Sequence, residues 1–340
     1  MKNTLYIIAI FMWFFGFSQK ISSLYENANE AVVLIKTLQT EVLYEGGLAT
    51  MSGLNGFGSG FVISEAGDIL TVAHLVQTAE YIIVTFADGE EIEAKVLYSY
   101  PLADVALIRT LTPKSTPLTV LKLGDSELAK TGDQVFIIGA PYGLKSSLSV
   151  GYISGKYTRK PLFNGLVTAE IIQSDAAINM GSSGGPMFNM KGEVIGIASF
   201  ILSRSQGFQG LGFATTSNIA KKLLLEEHAI WTGIQSSFLN GYLAEILNLP
   251  QKGGILVERV AENSLGDKLG LQGGYFRTIL EDKEYILGGD IILMVEEIPL
   301  TNENNLIKSW YKLQELKSGD LIRFTLLRRG KIEKISEIIP

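Results

Sequence analysis

The amino-acid sequence predicts a mostly β protein: antiparallel barrels or sandwiches up to about residue 216, then a smaller α+β unit. Three observations predict it. Short runs rich in β-branched and aromatic residues recur from about residue 30 to 216. Segments suited to tight hairpin turns separate them, among them Ala66-Gly67-Asp68, Asp88-Gly89 and Lys191-Gly192. No convincing helix falls between them, which disfavours a βαβ sheet.

In chain order, Lys2 precedes an uninterrupted apolar stretch from Leu5 to Phe17, too short for a comfortable membrane span. Gly16 and Ser18 then supply the small residues of a cleavage site after Ser18. Residues 1–18 therefore read as a signal peptide, with an uncleaved membrane anchor as the alternative. Either way the remainder is exported, to the periplasm or beyond the cell. Strands are expected at Val32–Ile35, Gly60–Ile63, Ile69–Val72, Tyr81–Phe86, Val105–Ile108, Val135–Ile138, Glu170–Gln173, Val194–Ala198 and Leu211–Ala214. A helix with Ser217 as N-cap, ending near His228, closes a first domain over 19–229. A second domain, 230–340, should hold strands at Gly254–Val260, Asp290–Val295 and Leu321–Leu327. Its helix, about Glu303–Leu316, places Leu306, Trp310 and Leu313 on one face.

Bulk numbers narrow the chemistry. The 340 residues suffice for two cores, and a net charge of −6 argues against nucleic acid as a partner. Without cysteine there is no thiol catalysis, no thiolate metal site and no disulfide. Two histidines, His74 and His228, exclude a histidine-rich metal centre, so neither cofactor nor metal is expected. His228 falls at the predicted helix C-terminus, where the dipole favours an imidazolium and no further role is needed.

Gly181-Ser182-Ser183-Gly184-Gly185-Pro186 lets the backbone bend sharply and aim amide groups at one spot. Acyl transfer needs this arrangement: a hydroxyl nucleophile with N–H donors beside it for the oxyanion. Alone the segment would be an ordinary Gly/Ser loop, His74 a hydrogen-bonded strand residue and Asp104 a turn residue. Together they occur in the order His, Asp, Ser, each next to a strand. The nucleophile-elbow pattern of α/β-hydrolases is also satisfied, but that fold needs Ser before its acid and His, and Pro186-Met187-Phe188 starts no helix.

On these residues the chain resembles the trypsin-like serine proteases, most closely their HtrA/Deg branch. Thr71-Val72-Ala73-His74 is similar to the histidine motif and Ala103-Asp104-Val105-Ala106-Leu107 to the aspartate motif. Gln173-Ser174-Asp175-Ala176-Ala177-Ile178-Asn179 with the Ser183 hexapeptide is similar to the nucleophile region. The resemblance implies a trypsin-like double β-barrel. In it Ser183 is the nucleophile, His74 the base and then acid, Asp104 the orienting carboxylate, and Gly181 and Ser183 the oxyanion-hole N–H donors. The family usually carries Asn where Ser182 stands and Pro where Met180 stands; altered loop rigidity is expected.

Ala177, six residues before Ser183, would lie at the base of the primary specificity pocket beside bulky Ile178. Cleavage after small or medium aliphatic residues follows. Leu211-Gly212-Phe213-Ala214 resembles the strand that pairs with substrate backbone. The second domain resembles a PDZ domain, with Trp231-Thr232-Gly233-Ile234 at the carboxylate-binding loop and the helix at 303–316 as the opposite groove wall. An inserted Tyr275–Leu287 stretch leaves the groove geometry open, and packing between domains is an equal account of Trp231. The resemblance further implies homotrimers, unfolded or misfolded polypeptides as substrates, C-terminal peptides as ligands, and a regulatory loop near Thr37–Gly56. A peptide-binding chaperone or stress sensor with a latent protease is the competing function.

Overall fold

A computed structural model describes residues 21–45, 48–140, 147–157, 170–202, 207–281 and 283–339. The proposed signal peptide at 1–18 lies outside them. After a helix at Ile21–Asn29 come strands β1 (Val32–Glu45), β2 (Leu48–Val62), β3 (Asp68–Thr71), β4 (Tyr81–Thr85), β5 (Glu91–Tyr100) and β6 (Val105–Thr110). They close into a barrel in the order β1-β2-β3-β6-β5-β4. A second barrel uses β7 (Gln134–Gly139), β8 (Ser147–Tyr157), β9 (Ile171–Ser174), β10 (Pro186–Asn189), β11 (Val194–Ile201) and β12 (Gly212–Thr216).

Side-chain alternation explains both barrels. Along β5, Glu91, Glu93 and Lys95 face solvent while Ile92, Ala94 and Val96 are buried in the first barrel. The continuous apolar runs have a different cause: both of their faces are covered. Val135 and Ile137 of β7 fill the second barrel, whereas Phe136 and Ile138 point into the seam between barrels. Likewise Ala106 and Ile108 of β6 fill the first barrel, and Val105 and Leu107 enter the seam. There Phe136 stacks on Phe188, with ring centroids 4.6 Å apart.

Three sequence expectations need correction. Ser217 is not the N-cap of the next helix; Thr216 is, and the Ser217 hydroxyl donates to Gly124 O instead. That helix is α-helical only over Ser217–Ala220 and widens into a π-helical turn at Lys221–Glu226. His228 lies beyond it with φ 53°, its ring against Tyr98, so a helix dipole does not account for it. Finally, Thr37–Gly56 lies largely in the long antiparallel β1–β2 ladder, because Val32 to Glu45 pairs residue for residue with Phe61 to Leu48.

The second unit is a sheet of β13 (Ile234–Asn240), β14 (Gly253–Val260), β17 (Ile291–Val295), β19 (Leu321–Arg328) and β20 (Lys331–Ile338), with β18 (Ile298–Pro299) on β17. The inserted stretch is a separate hairpin, β15 (Phe276–Leu280) and β16 (Lys283–Leu287). Asn302 caps the helix Glu303–Glu315, which buries Leu306 and Leu313 on the sheet. Among the described residues β13 is an edge strand, paired on one side with β14.

Candidate active site

His74 does not end its strand. β3 stops at Thr71, and His74 stands on a one-turn helix, Ala73–Val76. Asp104 follows a 3₁₀ turn, Pro101–Ala103, and adopts a left-handed conformation with φ 52° and ψ 49°. A non-glycine residue held there marks a constrained position. Thr215 Oγ1 donates to Ala103 O at 2.7 Å and ties this turn to the second barrel.

The two side chains meet. His74 Nδ1 lies 2.9 Å from both Asp104 oxygens, and the His74 backbone N–H donates to Oδ1 at 3.0 Å. Ser199 Oγ donates to Oδ2. Burial disfavours the imidazolium, but the charge and hydrogen bond of Asp104 outweigh it and hold the His74 pKa above its ordinary value. For Asp104, burial opposes the carboxylate, and the charge and hydrogen bonds of His74 and Ser199 hold its pKa below the usual range. The His74 side chain is 54% exposed, so water screens part of this pairing.

Ser183 sits on the turn before β10. Gly184 has φ 89°, and a Cβ there would stand 1.9 Å from Ser59 O, so no other residue fits. Gly181 also has positive φ, 94°. Among the described residues no acceptor takes the Gly181 or Ser183 N–H, whereas the N–H groups of Ser182, Gly184 and Gly185 are bonded to Asn179 O, Ala198 O and Ser182 O. The Ser183 hydroxyl donates to Ser199 O at 3.1 Å, and no hydrogen bond joins it to His74.

Ala177 is exposed, its carbonyl accepting from Ser149 Oγ. Ile178 is buried in the second barrel and lies against Gly212, where a Cβ would be 3.0 Å from Ile178 Cδ1. The substrate-pairing assignment of Leu211–Ala214 is contradicted. β12 pairs on one side with β11 and on the other with β9, from Gly212 to Thr215. With both edges occupied it cannot receive another strand. Among the described residues, no strand pairs with Ser199–Ile201 of β11 on the side away from β12: β10 pairs with this strand only as far as Ile197, and the turn before β10 bonds Ala198. Sequence reasoning missed Ser199, although one serine among Ile197, Ala198, Phe200 and Ile201 was a usable signal.

Residues 58–197 match the family described as trypsin-like peptidase domain. The double barrel is a trypsin-like peptidase domain. The HtrA/Deg resemblance of its motifs is matched by relatives. A probable periplasmic serine endoprotease, DegP-like, from Pseudomonas putida (strain GB-1) is 37% identical over 284 residues, 82% of this chain and 54% of that protein. One of the same description from Hahella chejuensis is 40% identical over 223 residues, 64% of this chain and 46% of the other. The chain thus spans about half the length of the curated relatives it matches. Among solved structures, the HtrA-type protease AlgW with decapeptide has a TM-score of 0.54 at 26% identity, covering 94% of this chain and 99% of that one. AlgW with tripeptide gives 0.53 at 28%, covering 93% and 95%.

Contacts join the peptidase domain to the second unit. Gln77, one turn after His74, donates from Nε2 to Thr232 Oγ1 at 3.0 Å and to Ile234 O at 3.4 Å, and its own carbonyl accepts from Trp231 Nε1 at 3.0 Å. Trp231 therefore packs between units, on the core of the first barrel. A cavity of about 520 Å³ runs between β13 and the helix Glu303–Glu315, with Ile234, Phe238, Leu306 and Leu313 in its walls. Gln77, His74 and Asp104 also line it.

Proposed function

We propose that the chain is an ATP-independent serine endopeptidase of the cell envelope. It cleaves unfolded or damaged polypeptides and is regulated by C-terminal peptides bound in a PDZ domain over about 230–340. The observation that carries this reading is the His74–Asp104 pair, linked to Ser183 through Ser199, whose hydroxyl donates to Asp104 and whose carbonyl accepts from Ser183 Oγ. With Asp104 ionised, the imidazole proton sits on Nδ1 and the Nε2 lone pair is free. Ser183 Oγ attacks the peptide carbonyl as Nε2 takes its proton. The oxyanion falls to the N–H groups of Gly181 and Ser183, and Nε2 then protonates the departing amine. Water repeats the sequence on the acyl-enzyme.

The uncharged set Ala177, Ile178, Gly212 and Phe213 supports cleavage after small or medium aliphatic residues, with the substrate backbone on the β11 edge at Ser199–Ile201. The edge strand β13, facing the helix Glu303–Glu315 across an apolar cavity, supports the PDZ reading. The similarity to a probable periplasmic endoprotease supports the periplasm.

One observation favours the second reading, a peptide-binding chaperone or sensor with a resting protease: the Ser183 hydroxyl rests on Ser199 O and not on His74. Fluorophosphonate labelling with and without a hydrophobic C-terminal peptide separates the two. Labelling at Ser183 without peptide supports the constitutive enzyme, and labelling only with peptide the resting one. Ser183→Ala is expected to abolish both labelling and cleavage of an unfolded protein. Cleavage retained by that variant would remove Ser183 from the mechanism.

A further inference from the structure

Ser59 is fully buried on β2 of the first barrel, and four hydrogen bonds converge on it. Its Oγ donates to Gly181 O at 2.7 Å and accepts from Ala140 N at 2.8 Å. Its backbone N–H donates to Ser183 O at 2.8 Å, and its carbonyl accepts from Thr71 Oγ1 at 2.7 Å. One residue thus joins the His74 segment, through Thr71, to both ends of the Gly181–Ser183 turn.

Peptide units are rigid planes, so holding a carbonyl also orients the N–H of the next residue. The Gly181–Ser182 unit is held at both ends, by Ser59 Oγ on its carbonyl and Asn179 O on its N–H. The Ser183–Gly184 unit is held likewise, by Ser59 N and Ala198 O. The two N–H groups of this turn without an acceptor among the described residues, those of Gly181 and Ser183, belong to the units immediately before each clamped one. Gly181, with no Cβ and a positive φ, could otherwise rotate its flanking planes at small cost.

We propose that Ser59 is a positioning residue for the oxyanion hole. Its hydroxyl holds the Gly181–Ser182 plane and its N–H holds the Ser183–Gly184 plane; the Ser182–Ser183 unit between them carries the Ser183 N–H, whose direction is thereby set relative to the barrel that carries His74. The proposal rests on the reading of Ser183 as nucleophile. It adds that the first barrel aligns the second barrel's Ser183 N–H through this residue.

The test is Ser59→Ala, assayed on a fluorogenic peptide with valine before the scissile bond. Removing an oxyanion donor outright costs ~10²–10³ in kcat. A donor still present but released from its alignment should cost about 10- to 100-fold, with KM changed less than about twofold. In a Ser183→Ala background, the Ser59→Ala change should leave peptide affinity unchanged, while Tm falls because Gly181 O and Ala140 N–H lose a buried partner. A kcat within twofold of the parent would overturn the proposal, as would a loss shared equally between kcat and KM. If Ser59→Ala unfolds, Ser59→Cys decides: reduced kcat in a folded protein supports the role, and unchanged kcat overturns it. Activity surviving in Ser183→Ala alone would instead reject the nucleophile.

Discussion

Replacing Asp104 with Asn tests the electrostatic logic of the site most directly. The carboxylate accepts from the His74 backbone N–H, from Nδ1 with both oxygens, and from the Ser199 hydroxyl. An amide of the same shape offers one accepting oxygen and one NH₂ donor. If its oxygen keeps the backbone N–H, the NH₂ faces Nδ1, and the imidazole must carry its proton on Nε2 to accept from it. Nε2 then has no lone pair for the Ser183 proton. The corresponding change in other serine proteases lowers kcat by about 10⁴, or ~5.4 kcal/mol of barrier. The pH profile supplies an independent sign. Cleavage needs neutral His74, and Asp104 raises the pKa of that imidazole, so the parent's acid limb should lie above the ordinary value of about 6.5. In Asp104→Asn only the burial effect remains, and the limb should move down. Stopped assays of kcat/KM from pH 5 to 9 measure both effects. Activity within tenfold of the parent, or an acid limb that moves up, would refute the reasoning.

Two further substitutions probe the frame around the site. Gly184→Ala should abolish activity and lower stability by about 2 kcal/mol or more in urea titration, since its methyl would meet Ser59 O at 1.9 Å with the backbone at φ 89°. Phe136→Ala removes half of the stacked pair in the seam and should cost ~3–5 kcal/mol of stability, read by chemical denaturation.

Much of the frame was legible because it depends on local rules. The β-branched and aromatic runs at Tyr81–Phe86 and Val135–Ile138 are enough to mark strands, and the Ser183 glycines announce a turn; β5 is absent from the expected strands, although the alternation of Glu91, Ile92, Glu93 and Ala94 was a usable signal. Long pairings were not legible. Nothing in Leu211–Ala214 says whether its edges are free; only the positions of β9 and β11 do. Ser59 between two glycines looks like flexible filler until its hydroxyl is seen between Gly181 and Ala140. The inserted Tyr275–Leu287 stretch carries strand-forming residues, but its separation from the main sheet is a matter of tertiary pairing.

Sequence by itself determined the candidate reacting groups, their order along the chain and an antiparallel β class of barrels or sandwiches, because side-chain chemistry and hydrophobic period are properties of a residue and its neighbours; the double barrel was implied by the family resemblance. Tertiary structure alone decided how those groups stand to one another. Asp104 faces His74 because Val105 and Leu107 dock in the seam, Ser199 arrives from the second barrel to complete the carboxylate's shell, and the Ser183 hydroxyl turns to a carbonyl 16 residues away. Those relations come from packing between segments far apart in sequence, whose hydrogen-bond partners are chosen only when both barrels close.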